Sequence, residues 1–397
     1  MQAPLEGIKV LDFSRYISGP NCGMLLGDLG ADVIKIEKIR GGDEARILPP
    51  MKNGESFYHF AINRNKRSVC LDFRNPKAQE MLFDMAKQAD VVLHNFRPGT
   101  MDKMGLGYEK LKEANPGIIM AQISGFGQEG PYRDKPGFDA IAQAMTGVMS
   151  LTGDPDGKPY LTGCFFIDFS TSLYTVIGIL AALYARKTTG KGQMVDATLL
   201  DSALSVLLSA IPDQVLNGNT MSRVGNRDRY SAPANLFQSR DGDWLILIAG
   251  QDAHFERFVK STHMEYLLKD PRFCGHLIRL EHAAEIEEIV RKWVSQRGTQ
   301  EILDQMDEAG VTCAKVEDIK EVVENPQVKF RGKIIMEEHK KMGKVPLVTP
   351  AFGLSEMPFV LRYMPPVLGE HTEEVLKEWL QIKEQQLAAL KEQGVIK

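Results

Sequence analysis

Short, nearly continuous apolar blocks alternate with longer amphipathic ones through the first third of the chain. GIKVLDF, DVIKIEK and RSVCLDF are brief and rich in β-branched residues, the pattern of strands covered on both faces. Two helical stretches accompany them. One runs from Pro20 to Leu29; the other is NPKAQEMLFDMAKQA, with Asn75 as N-cap and Pro76 at the first helical position. VVLHNF and GIIMAQISGF continue the strands, separated by the helical LGYEKLKEAN. Repetition of this kind predicts an α/β fold, a parallel sheet covered by helices, with function at the carboxyl ends of the strands.

Further along, the apolar run from Ser172 to Ala185 ends in Arg186 and Lys187. It falls short of the roughly 20 residues a membrane span needs, which predicts a buried core helix. After the turn TTGKGQ, the stretch VDATLLDSALSVLLSAIPDQVL predicts a second helix. From about Asn217 the chain becomes polar, irregular and rich in arginine. It then gives a strand pair around an Asp-Gly turn, NLFQSRDGDWLILIAG, and amphipathic helices to about Asn325. Extended, proline-bearing segments follow GKIIMEE, and a charged helix closes the chain. The expected organisation is a large α/β domain begun by residues 1–216, a smaller α+β domain over 217–330, and a segment 331–397 returning to the large domain.

Composition narrows the function. Hydrophobic residues make up 43% of the 397, and the formal net charge is −4, which gives no reason to expect nucleic acid or an anionic membrane as a partner. Five cysteines without a CxxC pair fit reduced thiols in a cytoplasmic protein. The N-terminus is too polar for a signal peptide. Eight histidines show no ligand spacing, so no metal site is expected.

Three kinds of residue suggest chemistry. The first strand–loop–helix carries Gly19, Gly23 and Gly27 instead of GxGxxG, which argues against a dinucleotide site although Glu37 stands where a ribose-binding acid would. Lys38, Arg74, Arg97 and Lys103 lie at or just after strand ends, and Lys135 lies in a loop; together they suit a long polyphosphate ligand. Asp168 stands among Phe165, Phe166, Ile167 and Phe169. As N-cap of a helix opening at Phe169 it would accept first-turn amides. As a desolvated carboxylate held ionised by a helix N-terminus, it can attack an activated carbonyl and form an anhydride. Local spacing does not separate the two roles.

The opening LEGIKVLDFSRYISGPNCGMLLGDLGADVIKIEKIRGGD is followed in order by NRNKRSVCLDFRNP, HNFRPGTMDKMGLGY, ISGFGQEGPYRDKPGFDAIAQAMTG and ALYARKTTGKGQMVDATLLDS, then by AGVTCAKVEDIKEVVENPQV and PPVLGEHTEEVLKE. This ordered set resembles the class III CoA-transferases, the family of formyl-CoA transferase and the carnitine-type CoA-transferases, over nearly the whole chain. The resemblance implies a Rossmann-like large domain with a smaller inserted α+β domain. It also implies an intertwined homodimer of interlocked rings, with the site between the large domain of one chain and the small domain of the other. The implied activity moves CoA from an acyl-CoA to a carboxylic acid, with CoA thioesters as substrates and no permanently bound cofactor. Asp168 matches the family nucleophile, which forms an aspartyl–acyl anhydride and then an aspartyl-CoA thioester. Ile17, Ser18, Lys38, Leu71, Asp72, Phe73 and Arg74 match contacts on the adenosine side. Asn95, Phe96, Arg97 and Lys103 match the segment along the phosphates and nucleotide, and Lys135 a further contact.

Two departures stand out. Ser172 replaces a glycine found in many relatives four residues after the nucleophile, and AGQDAHF stands where formyl-CoA transferase has a glycine-rich loop. Oxalate specificity is therefore not implied. The α-methylacyl-CoA racemases of the same fold carry a histidine where this chain has Phe138, and a phenyl ring carries no proton. Racemase chemistry is disfavoured, and Asp139 reads as structural. A CoA-binding protein without activity is disfavoured by the presence of Asp168. The stretch SRVGNRDRYSAP reads as a solvated interdomain loop, with a second carboxylate-binding site as the alternative.

Overall fold

The computed structural model describes residues 3–397. They divide into two compact units. The first runs up to Val148 and takes in Thr162–Ile211 and Lys329–Lys397; the second comprises Met149–Leu161 and Pro212–Val328. The segment Met149–Leu161, expected within the large domain, thus packs with the second unit.

Six strands of the first unit form one sheet: β1 (Lys9–Asp12), β2 (Asp32–Lys38), β3 (Lys66–Leu71), β4 (Val91–His94), β5 (Ile119–Ser124) and β6 (Met194–Thr198). Their order is β3-β2-β1-β4-β5-β6, and every pairing is parallel. This is the doubly wound order, whose direction reverses between β1 and β4. Strand β6 corrects the sequence reading, which gave this stretch to a helix. Met194–Thr198 alternates in exposure and hydrogen-bonds β5, and the Thr198 hydroxyl then caps the helix Leu199–Leu204 by accepting the Asp201 amide.

The helices are α1 (Ser18–Asp28), α2 (Phe57–Phe60), α3 (Pro76–Gln88), α4 (Tyr108–Ala114), α5 (Asp139–Thr146) and α6 (Phe166–Thr189). The Asn75 side chain caps α3 as its sequence suggested. Helix α1 starts two residues before Pro20, which sits within the first turn, where a missing N–H breaks no helical bond. Helix α6 packs one face into the core. Ile167, Thr171, Val176, Ile179 and Leu183 face inward, whereas Leu173, Ile177 and Tyr184 are more than half exposed. It is long and apolar enough to cross a membrane by length and composition, with 44% of its apolar window buried.

On the other side of the sheet, the charged stretch expected as one closing helix forms two, Thr372–Leu380 and Glu384–Glu392, and the first buries Val375, Leu376 and Trp379 in one core with Leu71, Met85 and Ile396. The second unit has its own core, built on an antiparallel sheet of β7 (Ala234–Gln238), β8 (Trp244–Ile248) and β9 (Thr312–Lys315). The Asp-Gly turn joins β7 to β8; the third strand was not foreseen. The arginines of SRVGNRDRYSAP are engaged within this unit. Arg223 donates to the carbonyls of Asp154 and Gly157, Arg227 pairs with Glu287 at 2.7 Å, and Arg229 donates to the Ser222 carbonyl.

Candidate active site

The loops that leave β1 and β4 meet where the strand order reverses. They are locked together by Asn95, whose side chain accepts the Arg15 amide at 2.8 Å and donates to the Arg15 carbonyl at 2.6 Å. Two buried lysines hold the β1 loop from beneath. Lys35 reaches the Ser14 carbonyl and pairs with Asp43; Lys66 reaches the Pro20 carbonyl and pairs with Asp12. All four charged groups are removed from water, so each pair persists only because both partners and their hydrogen bonds are present. Gly23 and Gly19 let α1 lie this close. A β-carbon at Gly23 would stand 2.6 Å from an Asp12 oxygen, and one at Gly19 would overlap Ser14. These glycines therefore serve helix packing.

Two adjoining clefts open at this edge. The first, about 220 Å³, is lined by Lys38, Phe73, Phe96 and Arg15 among others. Arg15 stacks on Phe96 at 4.9 Å, and its guanidinium shares Glu44 with Lys38. The second, about 290 Å³, takes in Ser18, Asn95, Phe96, Arg97, Lys135 and Asp168, together with Arg15, Tyr16, Arg133 and Phe138. Arg15 and Phe96 belong to both. An elongated ligand with an aromatic head and an anionic middle matches this succession of flat, cationic and apolar surfaces.

Asp168 lies in the first turn of α6, whose first helical residue is Phe166. It is therefore not the N-cap expected from sequence. Phe165 at the N-cap has no side-chain bond to offer, and the first-turn amides are capped from another helix: the Asp139 carboxylate accepts Ile167 N at 2.8 Å and Asp168 N at 3.1 Å. This leaves the Asp168 carboxylate free to face the cleft. Burial first, and the Asp139 charge second, push its carboxyl up to about 7, against a smaller pull from the Ser18 hydroxyl. The helix N-terminus does not hold it ionised as expected, because Asp139 already occupies the positive end. Ser172 adds a link: its hydroxyl lies 2.7 Å from the Ser18 carbonyl and 2.8 Å from that of Asp168, tying α1 to α6.

Of the residues singled out from sequence, Ser18, Lys38, Phe73, Asn95, Phe96, Arg97, Lys135 and Asp168 line the two clefts. Ile17, Leu71, Asp72, Arg74 and Lys103 do not. Leu71 is fully buried beside Ile396, and the Asp72 amide donates to the Val395 carbonyl. Sequence reading missed Arg15, Tyr16 and Arg133 of these clefts. It also passed over Lys35 and Lys66, although a lysine within a strand apolar on both faces signals a buried partner.

A profile of CoA-transferase family III matches residues 5–372. The chain belongs to this family. It is a CoA-transferase, working between an acyl-CoA and a carboxylate. The transferase is 36% identical over 394 residues to a succinyl-CoA–D-citramalate CoA-transferase of Chloroflexus aurantiacus, covering 99% of this chain and 98% of that one. It is 33% identical to the human succinyl-CoA:glutarate CoA-transferase, covering 99% and 90%. It is also 33% identical to a formyl-CoA:oxalate CoA-transferase of Rhodopseudomonas palustris, covering 100% and 98%. Among solved structures, a CAIB/BAIF family protein from Brucella suis aligns with a TM-score of 0.84 at 34% identity, covering 96% of the transferase and all of the other chain.

Proposed function

We propose that the transferase works through covalent catalysis at Asp168. The observation that carries this reading is a carboxylate with little polar company at the floor of a cationic cleft, its carboxyl raised to about 7. Such a group binds few stabilising partners as an anion and so is a stronger nucleophile than an ordinary aspartate. An Asp168 oxygen attacks the thioester carbonyl carbon, the C–S bond breaks, and CoA leaves as thiolate, giving a mixed anhydride. The thiolate then attacks the aspartyl carbonyl, releasing the donor acid and forming aspartyl-CoA thioester. The acceptor carboxylate displaces the thiolate to form a second anhydride. Attack of the thiolate on its acyl carbonyl yields the new acyl-CoA and regenerates Asp168.

In this reading the adenosine side of CoA takes the smaller cleft at Lys38, Phe73 and Phe96, and Arg97 and Lys135 meet the phosphates. Ile17, Leu71, Asp72, Arg74 and Lys103 retain at most backbone or rim contacts. Relatives named for succinyl-CoA with citramalate, malate or glutarate support succinyl-CoA as donor and short dicarboxylic acids as acceptors. The exposed apolar face of α6 supports a homodimer in which a second copy covers it. The intertwined ring, the inserted domain at 217–330 and a cytoplasmic location belong to the same reading; free thiols at all five cysteines support the last. Phe138 where a racemase would hold a base disfavours that chemistry.

Incubation with succinyl-CoA and a panel of acids, followed by chromatography of the CoA esters, tests the reading. Formation of a new acyl-CoA with equimolar loss of succinyl-CoA is expected, fastest for dicarboxylic acids. Turnover with formyl-CoA alone would overturn the substrate assignment. Exchange of the α-proton with deuterated water, without transfer, would overturn the reaction itself.

A further inference from the structure

Asp139 is the first residue of α5, almost fully buried, and it faces the start of α6. Its two oxygens are used differently. Oδ2 accepts the amides of Ile167 and Asp168, while Oδ1 accepts from the Gln143 side chain. Gln143 in turn accepts the Thr162 amide at 3.1 Å and donates to its hydroxyl at 3.0 Å, fixing the segment that leads into α6. Asp139 thus stands at the positive ends of two helices, each of which favours a negative charge there. Beside the neighbouring Asp168 carboxylate, the Ser18 hydroxyl favours the charged form. Two carboxylates side by side are therefore treated unequally: one is satisfied and fixed, the other exposed to a repulsive charge.

We propose that Asp139 is a positioning residue for transfer, which aims Asp168 by capping the backbone of α6 and supplies the charge whose repulsion is relieved when Asp168 is acylated. The inference rests on Asp168 being the nucleophile. Whenever Asp168 is ionised, two negative charges share a desolvated corner. In either anhydride, and in the aspartyl-CoA thioester, Asp168 is neutral and that repulsion is gone. The interaction therefore raises the starting state relative to every covalent intermediate, which are otherwise energy-rich species. A cap alone needs only a hydrogen-bond acceptor; this role needs a charge.

Other groups facing Asp168 are Ser18 from α1 and Tyr58 from α2. The cations lining the same cleft are Arg15, Arg97, Arg133 and Lys135. Burial is the larger cause of the raised Asp168 carboxyl and Asp139 the next, so removing the charge lowers it without restoring an ordinary value.

Asp139→Asn keeps an acceptor for the two amides and removes the charge. Single-turnover acylation by succinyl-CoA, followed from pH 5 to 9, reads the result. The wild type should lose rate below an acid limb near 7. In Asp139→Asn the limb should move down by about one unit, and the rate at pH 8 should fall about tenfold. The variant-to-wild-type ratio should then be larger at pH 6 than at pH 8. An equal ratio at all pH values, or an unchanged limb, would reduce Asp139 to a cap and overturn the proposal. The substituted side chain would point an amide at the Gln143 amide, so Asp139→Asn with Gln143→Glu provides a second arm. It restores both the hydrogen bond and a carboxylate nearby, and the limb should return toward 7; failure to return in a folded protein would also overturn the proposal. Mass spectrometry of the acylated protein separates the two claims: an adduct elsewhere than Asp168 sinks the nucleophile reading and this one with it, whereas an adduct at Asp168 with no pH effect sinks this one alone.

Discussion

At the residue scale, the environment of Asp168 has a thermodynamic consequence that catalysis does not need. Its carboxyl titrates at about 7 in the folded protein, against an ordinary value of 3.8. Between those values the folded chain holds a proton that the unfolded chain has released, so the group favours folding less and less as pH rises through that window. Asp168→Asn cannot ionise and escapes this penalty. A gap of that size corresponds to roughly 4 kcal/mol, an upper bound for a group that keeps some contact with solvent, and about 2 kcal/mol is expected. Thermal unfolding should show the variant more stable at pH 8, with the gain shrinking steadily toward pH 4. A constant difference across pH would mean an unperturbed carboxyl. Ser172 offers a second test. Ser172→Ala removes the hydroxyl that joins the Ser18 and Asp168 carbonyls, a bond worth about 1 kcal/mol. Transfer should slow about fivefold while affinity for CoA, measured by titration calorimetry, stays within twofold.

At the scale of elements, the strands and the capped helix α3 were legible because both faces of the strands are apolar and because Asn75-Pro76 is a specific start signal. Strand β6 was not. Its apolar residues run straight into those of the following helix, and only the Thr198 cap and pairing with β5 mark the boundary. The cap of α6 was illegible for a different reason: Asp139 lies 29 residues from Asp168, and local sequence carries no trace of a cap supplied by another helix. The same holds for the pairs that support the β1 loop, since Lys66 and Asp12 lie 54 residues apart. Asp12→Ala should cost about 3–5 kcal/mol, because it leaves the Lys66 ammonium buried beside Pro20 and Asn63 without its counter-ion. Denaturant unfolding measures this; a loss under about 1 kcal/mol would mean that water reaches the lysine.

At the scale of the whole molecule, the ordered motifs carried the family, and the family profile and relatives agree over nearly the full length. The acceptor acid was not legible, because cationic residues of the cleft such as Arg133 belong to loops whose spacing follows no motif. The exposed side of α6 makes the homodimer testable. Ile177 is 60% exposed on an apolar helix face, a position that costs solubility unless covered. Light scattering should find two copies of the wild type and a shift toward one in Ile177→Asp. A wild-type monomer at micromolar concentration would remove the second copy from the account.

The claim on which the rest depends is that the acyl group passes through Asp168. Incubation with succinyl-CoA, trapping with hydroxylamine and peptide mass spectrometry tests it directly. A hydroxamate is expected on the peptide containing Asp168 and absent in Asp168→Ala. Transfer activity that survives in Asp168→Ala, or a hydroxamate on any other carboxylate, would contradict it.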